Sequence, residues 1–310
     1  MSDGEKLISP TLMKQIRENP ALSAHHRTVF MFLSYLRTTA ACSFKIYGDG
    51  CDVDGPFDIE KQIEYIHRWT DLYRSGVLAK FYQLENWLKN NPAPVTMLTL
   101  TTYQDGRYST TVKGDIVTIP ESFDTLKTSW KRLRMALRLY LPSNRYVWIM
   151  EPHKTGYPHL HVIIFEDVNK ETQDAISRLW SKKYKAGSAD HGVNFAIKTP
   201  DESIRSIRNY LMKYVAKGFS STGSKFEDGH TWGTGELVFN ALVWKHKWRI
   251  FGASRSLSKV MRHKKKSEVN VLRIYFGTEL WDANGETHTT WLKEGYKIPE
   301  PFIPDTEKSF

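Results

Sequence analysis

Two histidines separated by one residue, His159-Leu160-His161, stand in the run Tyr157-Pro-His-Leu-His-Val-Ile-Ile-Phe165. β-Branched residues and a terminal aromatic mark this run as a strand. Side chains alternate faces along a strand, so both imidazoles project to one side, about 7 Å apart, while Leu160 enters the other. Such a pair can chelate one divalent metal. Glu151 ends the preceding strand, in Trp148-Ile-Met-Glu-Pro-His-Lys-Thr-Gly-Tyr-Pro-His-Leu-His161. A five-residue connection, His153 to Tyr157, sets Glu151 opposite His159 on the same face; a slip of one residue carries it to the other. His153 is the alternative third ligand. Two imidazoles and a carboxylate leave positions open for water and a phosphate oxygen. That set suits Mn2+ or Mg2+, although imidazole also accepts Zn2+, Co2+ or Ni2+. The plainer alternative is a pair of surface histidines beside a glutamate that solvates a strand end.

Some fifty residues downstream lies Tyr210-Leu-Met-Lys213-Tyr214-Val-Ala-Lys217. On a helix, positions i, i+3, i+4 and i+7 form one stripe, here Tyr, Lys, Tyr, Lys. Leu211, Met212 and Val215 fall on the core side. A phenol is a nucleophile held mostly protonated by a free pKa of about 10. A neighbouring ammonium favours the phenolate and also binds phosphate.

These groups need a scaffold. Residues 95–103 read as a Thr-rich strand, 122–141 as a basic amphipathic helix closed by Pro142, and 145–151 and 159–165 as paired strands. Residues 169–185 read as a helix, 193–198 as a short strand, 201–217 as the tyrosine helix and 236–248 as a further helix. Residues 269–276 and 287–291 flank Asp282-Ala-Asn-Gly285 as a hairpin. Ahead of them, residues 1–94 read as mostly helical, with apolar spacing over 29–36, 59–73 and 77–88. The Gly/Asp-rich stretch 47–56 reads as a loop without the ligand spacing of an EF-hand. Asn90-Asn-Pro-Ala-Pro94 marks a boundary. The expected fold is α+β, a central antiparallel sheet of about five strands flanked by helices, with a helical N-terminal extension and a small C-terminal β-hairpin. The expected division is 1–94, 95–260 and 261–310.

Net charge is +10, which makes nucleic acid the leading partner. Between residues 245 and 266 there are nine Lys or Arg and no acid, interleaved with Trp248 and Phe251. Backbone neutralisation with aromatic stacking is how single strands are held. A second cationic stripe, Lys127, Lys131, Arg132, Arg134 and Arg138, lies on the helix at 122–141. Candidate DNA contacts are Lys127, Lys131, Arg134, Lys245, Lys247, Arg249 and Arg255. Cys42 and Cys51 are too few for a disulfide framework or a four-thiolate zinc site. No apolar stretch reaches membrane-spanning length. Gly218-Phe-Ser-Ser-Thr-Gly223-Ser-Lys225 falls short of a Walker A motif, because Ser224 occupies the position of the required lysine.

His-hydrophobic-His on a strand, followed by helical Tyr-x-x-Lys-Tyr-x-x-Lys, resembles the HUH endonucleases. It is most similar to their two-tyrosine rolling-circle replication initiators, the Rep proteins of single-stranded DNA phages, archaeal viruses and plasmids. Met97-Leu-Thr-Leu-Thr-Thr102 resembles the family's first motif, and the resemblance covers about residues 95–218. It implies an RRM/ferredoxin-like core in which His159 and His161, with Glu151, hold a divalent metal, Mn2+ or Mg2+. It further implies that Tyr210 or Tyr214 attacks a scissile DNA phosphate, leaving a 5′-phosphotyrosine and a 3′-hydroxyl primer, with Lys213 and Lys217 balancing charge. The implied partner is single-stranded DNA at a replication origin, with a host helicase and polymerase, in a prokaryotic cytoplasm and without a membrane. An HUH transposase, a relaxase and a non-catalytic single-stranded DNA-binding protein are the competing readings.

Overall fold

The computed structural model describes residues 10–40, 42–52, 55–64, 66–198, 232–261, 270–281 and 287–292. In chain order the elements are α1 (Pro10–Glu18), α2 (His26–Ala40), β1 (Cys42–Asp52), β2 (Gly55–Glu64) and α3 (Asp71–Asn90). Then come β3 (Val95–Thr101), β4 (Gln104–Asp105), β5 (Tyr108–Ser109), α4 (Ile119–Tyr140), β6 (Tyr146–Pro152), β7 (Pro158–Ile164) and α5 (Lys170–Arg178). A π turn, Leu179–Lys183, extends α5 before β8 (Val193–Lys198). The last are α6 (Thr234–His246), β9 (Phe251–Ala253), α7 (Arg255–Val260), β10 (Asn270–Trp281) and β11 (Thr287–Leu292). The α+β class and the five-stranded antiparallel sheet flanked by helices are as expected; the strand order is β8-β3-β7-β6-β9.

Two expectations for the N-terminal part do not hold. Residues 59–64, expected to begin a helix, belong to β2, and the presumed loop at 47–56 lies within a hairpin in which Asp52 pairs with Gly55. Ile59, Ile63 and Ile66 fit the helical spacing i, i+4, i+7. Yet Phe57, Ile59 and Ile63 also alternate with Asp58, Glu60, Gln62 and Glu64. Pairing decides between the two periods: β2 lies antiparallel against β1, β1 against β10, and the four strands order as β11-β10-β1-β2. The C-terminal hairpin expected from Asp282–Gly285 is present as β10–β11. The tyrosine helix expected at 201–217 and the loop at 218–225 lie outside the described residues.

The core of the sheet's helical side comes from α4. Thr118 caps it by accepting from the Glu121 backbone N–H, while the Glu121 carboxylate accepts from the Thr118 N–H at 2.7 Å. Its buried face, including Phe123, Leu126, Trp130, Leu133 and Leu137, recurs at the helical period. Against β6 lies α6, whose residues 237–243 are all buried, consistent with a helix covered on every side. α2 packs on α6 through aromatic contacts. Phe32 lies 6.1 Å from Trp232 and 5.9 Å from Trp244, and meets Trp69 edge-on at 4.7 Å.

His67 sits in this aromatic layer, 5% exposed. The Trp69 backbone N–H donates to its Nδ1 at 3.2 Å, so Nε2 carries the proton and faces Thr39 Oγ1 at 3.1 Å. Burial lowers its pKa to about 4. The unfolded chain, with an ordinary histidine, binds the extra proton first. Stability is therefore full above about pH 6.5 and falls as pH drops towards 4, by about 3 kcal/mol for this group. Urea unfolding of the wild type and of His67→Gln across that window should show a shallower pH slope in the variant; equal slopes would remove His67 as the cause.

Candidate metal centre and nucleic-acid interface

β7 is the middle strand, and its neighbours fix what surrounds the histidines. Against β6, Glu151 pairs with His159 and Ile149 with His161; against β3, Thr101 pairs with His159 and Thr99 with His161. Paired residues share a face, so Glu151, His159, His161, Thr99 and Thr101 lie together. Leu160, Val162 and Ile164 point the other way and are almost fully buried. The connection is the five residues 153–157, closed by the His153 N–H donating to the Tyr157 carbonyl and the Gly156 N–H to that of His153, both at 2.8 Å. Gly156 has φ +89°, which favours glycine.

α6 abuts this turn. A Cβ at Gly235 would strike the Lys154 carbonyl oxygen and come within 2.6 Å of the Gly156 nitrogen. The backbone of α6 and that of the turn joining β6 to β7 are thus in direct contact, and neither can yield as a side chain would.

Glu151, His159 and His161 form a group that could hold a metal ion, with ligand atoms all within 4.8 Å of one another. His161 Nε2 lies 2.7 Å and His159 Nε2 3.2 Å from the same carboxylate oxygen, Glu151 Oε1. The ring centres are 5.0 Å apart. Burial pushes the Glu151 carboxyl up, but hydrogen bonds from His159 and His161, with their charge, outweigh it and leave the pKa lowered to about 2. Its second oxygen, Oε2, is buried and has no hydrogen-bond partner. A buried, ionised and unpartnered oxygen carries a desolvation cost that a cation would relieve. Two nitrogens and a carboxylate therefore fit a divalent metal. Exposed His153 lies outside the group, its ring 5.8 Å from that of His159 and its Nδ1 3.3 Å from Thr155 Oγ1.

Thr99 was not singled out from sequence. Its Oγ1 stands 3.1 Å from His161 Nδ1, leaving Nε2 towards Glu151. A hydroxyl both donates and accepts, so it holds this ring in either tautomer. The available signal was the threonine alternation of Met97-Leu-Thr-Leu-Thr-Thr102, which marks a polar strand face beside the histidines.

Tyr210, Lys213, Tyr214 and Lys217 lie outside the described residues. Lys127, Lys131, Lys245, Lys247, Arg249 and Arg255 are exposed and Arg134 half-buried. The expected stacking role of Trp248 is not supported. Its ring is 6% exposed and stacks on Phe123 at 3.7 Å with an interplanar angle of 4°. The chain reverses at Lys247, φ +51°, which ends α6 and turns the indole inward. Phe251 is half-buried and meets Phe81 of α3 edge-on at 5.3 Å.

Residues 95–219 match the model of a family described as replication-associated protein ORF2. The match begins at the first residue of β3 and takes in Glu151, His159 and His161. The chain is also 34% identical over 224 residues to an uncharacterised 36 kDa protein of Halobacterium salinarum, covering 65% of this chain and 67% of that one. The chain belongs to one family with that protein. It is further similar to the replication protein of Haemophilus phage HP1, 24% identical over 215 residues, 64% of this chain. The chain spans only about a quarter of that phage protein, 27% of its length. No solved structure matches the chain. Both the matching family and the phage relative are described as replication proteins. Among the described residues, no helix is long and apolar enough to cross a membrane.

Two outcomes follow from this geometry. Thr99→Val should weaken Mn2+ binding, read by calorimetry, about 10- to 100-fold, with Thr99→Ser near wild type; equal affinity in all three would exclude an orienting role. Gly235→Ala should destabilise the fold by about 1–3 kcal/mol in denaturant titration, and an unchanged midpoint would show that the α6–turn contact is loose.

Proposed function

We propose that the chain is a metal-dependent, site-specific single-stranded DNA endonuclease and strand transferase of the two-tyrosine HUH type that initiates rolling-circle replication. The observation that carries this reading is the convergence of Glu151, His159 and His161 on one sheet face, inside the stretch that matches replication-associated proteins. A divalent ion such as Mn2+ or Mg2+, held by these three residues, would supply Lewis-acid polarisation of the scissile phosphate. The hydroxyl of Tyr210 or Tyr214 attacks phosphorus in line: the Oη–P bond forms, the P–O3′ bond breaks, and the phenolic proton is lost as the 3′-oxygen gains one. The products are a 5′-phosphotyrosine and a free 3′-hydroxyl that primes synthesis. The second tyrosine serves the closing transfer, in which a 3′-hydroxyl displaces the first phenol and restores the phosphodiester. Lys213 and Lys217 favour the phenolate and offset phosphate charge. Bond energy is conserved in the phosphotyrosine, so nucleotide hydrolysis is not required. Unwinding and synthesis fall to a host helicase and polymerase.

The test is a denaturant-resistant protein–DNA species formed with single-stranded origin oligonucleotides and Mn2+. It should vanish with chelator and in Tyr210→Phe/Tyr214→Phe, and slow about 100-fold or more in Glu151→Gln. An adduct that survives both the chelator and the double substitution would sink the mechanism.

A further inference from the structure

α4 carries a surface that strand transfer leaves unused. Lys127, Lys131, Arg134 and Arg138 recur at intervals of four, three and four, and so share one flank of the helix. At about 1.5 Å of rise per residue they extend over about 16 Å, near five base steps of about 3.4 Å along a duplex strand. The inner face of α4 packs on the sheet: Trp130 meets Tyr146 at 5.7 Å and Trp148 at 6.5 Å, both edge-on. Tyr146 and Trp148 alternate along β6 with Ile149 and Glu151. α4 therefore covers the face opposite the candidate metal centre.

Arg249 joins this surface from the edge of the sheet. Its guanidinium lies 5.8 Å from the Trp148 ring centre, and its Nε–H donates to the Phe251 carbonyl oxygen at 2.9 Å. The Arg249 pKa is lowered first by burial and then by the charge of Arg134, while Tyr73 opposes the shift. Two guanidiniums from different elements are thus held within electrostatic reach. Among the described residues, none of these five cations takes part in an ion pair. The acid nearest in sequence, Asp124, lies one turn before Lys127 and interacts with His246. Like charges fixed together without a counter-ion are relieved by an anion.

The rings on this side argue for a duplex over a single strand. Binding a single strand calls for exposed aromatics on which bases stack. Trp130, Trp148 and Trp248 are instead buried in the core, and the exposed ring of α4, Tyr140, falls on the opposite flank of the helix from the cations. What remains on offer is charge at backbone spacing, which reads phosphates without bases.

We propose that the α4 stripe, with Arg249, binds the phosphate backbone of double-stranded DNA on the reverse of the sheet from Glu151, His159 and His161. The strand-transferase reading contributes only the choice of polymer. The experiment is fluorescence anisotropy of the full chain with a short random-sequence duplex, and with its single strand, over a range of salt concentrations and without divalent metal. Lys127→Gln/Lys131→Gln/Arg138→Gln should lower the slope of log affinity against log salt for the duplex by about 3, near 0.9 per lost phosphate contact. Lys131→Gln alone should lower it by about 1. Arg249→Gln should weaken the duplex complex further, and Mn2+ affinity by calorimetry should match wild type throughout. An unchanged duplex slope overturns the proposal, as does an equal loss for duplex and single strand. No covalent adduct is read, so a chain that binds duplex through these cations yet never forms phosphotyrosine overturns the strand-transferase reading alone.

Discussion

Glu151 lies across from His159 because β6 and β7 pair antiparallel, with Pro152 facing Pro158 at the mouth of a five-residue turn. The candidate centre depends on that register, since a slip of one residue would move the carboxylate to the opposite face. The reverse face secures it. Leu160, Val162 and Ile164 sit between helices and sheet, and burying such a side chain is worth about 1.5–3 kcal/mol. Slippage would expose these three and drive two imidazoles into the core. The apolar side of β7 therefore holds its polar side in place.

The strands that bear the site were legible because two signals agreed: alternation along each strand and turn residues, Gly156 among them, at the right distance. Where signals disagreed, reading failed. Residues 59–66 satisfy a helical and an extended period together, and the choice rests on pairing with β1, which is itself held by β10 from more than two hundred residues away. Trp248 misled for another reason. Its cationic neighbours face solvent, but the left-handed residue at Lys247 rotates the next side chain into the core, and composition carries no trace of that rotation. Thr99 was hidden because a threonine in a strand has an adequate explanation in β propensity alone; only pairing with His161 gives it a second task.

The sheet divides its two faces between different kinds of charge. One face gathers a carboxylate whose free oxygen is buried and whose pKa stays low. The other is roofed by a helix whose outer flank carries cations that form no ion pair among the described residues. Two layers of apolar side chains separate them, so the opposite charges neither neutralise each other nor compete for one ligand. A chain with a large positive net charge can in this way keep a small anionic pocket intact.

Gly235 and the turn at 154–156 also anchor the chain at the ligand end of the sheet. β8 runs from Val193, paired with Leu100 near the histidines, to Lys198, paired with Val95 at the remote end. Trp232, three residues before Gly235, stands with it at the ligand end. The turn that joins the strands of Glu151 and His159 is therefore clamped from outside by the backbone of a helix distant in sequence. Register at the candidate centre is held there by main-chain atoms, which no side-chain substitution on either strand removes.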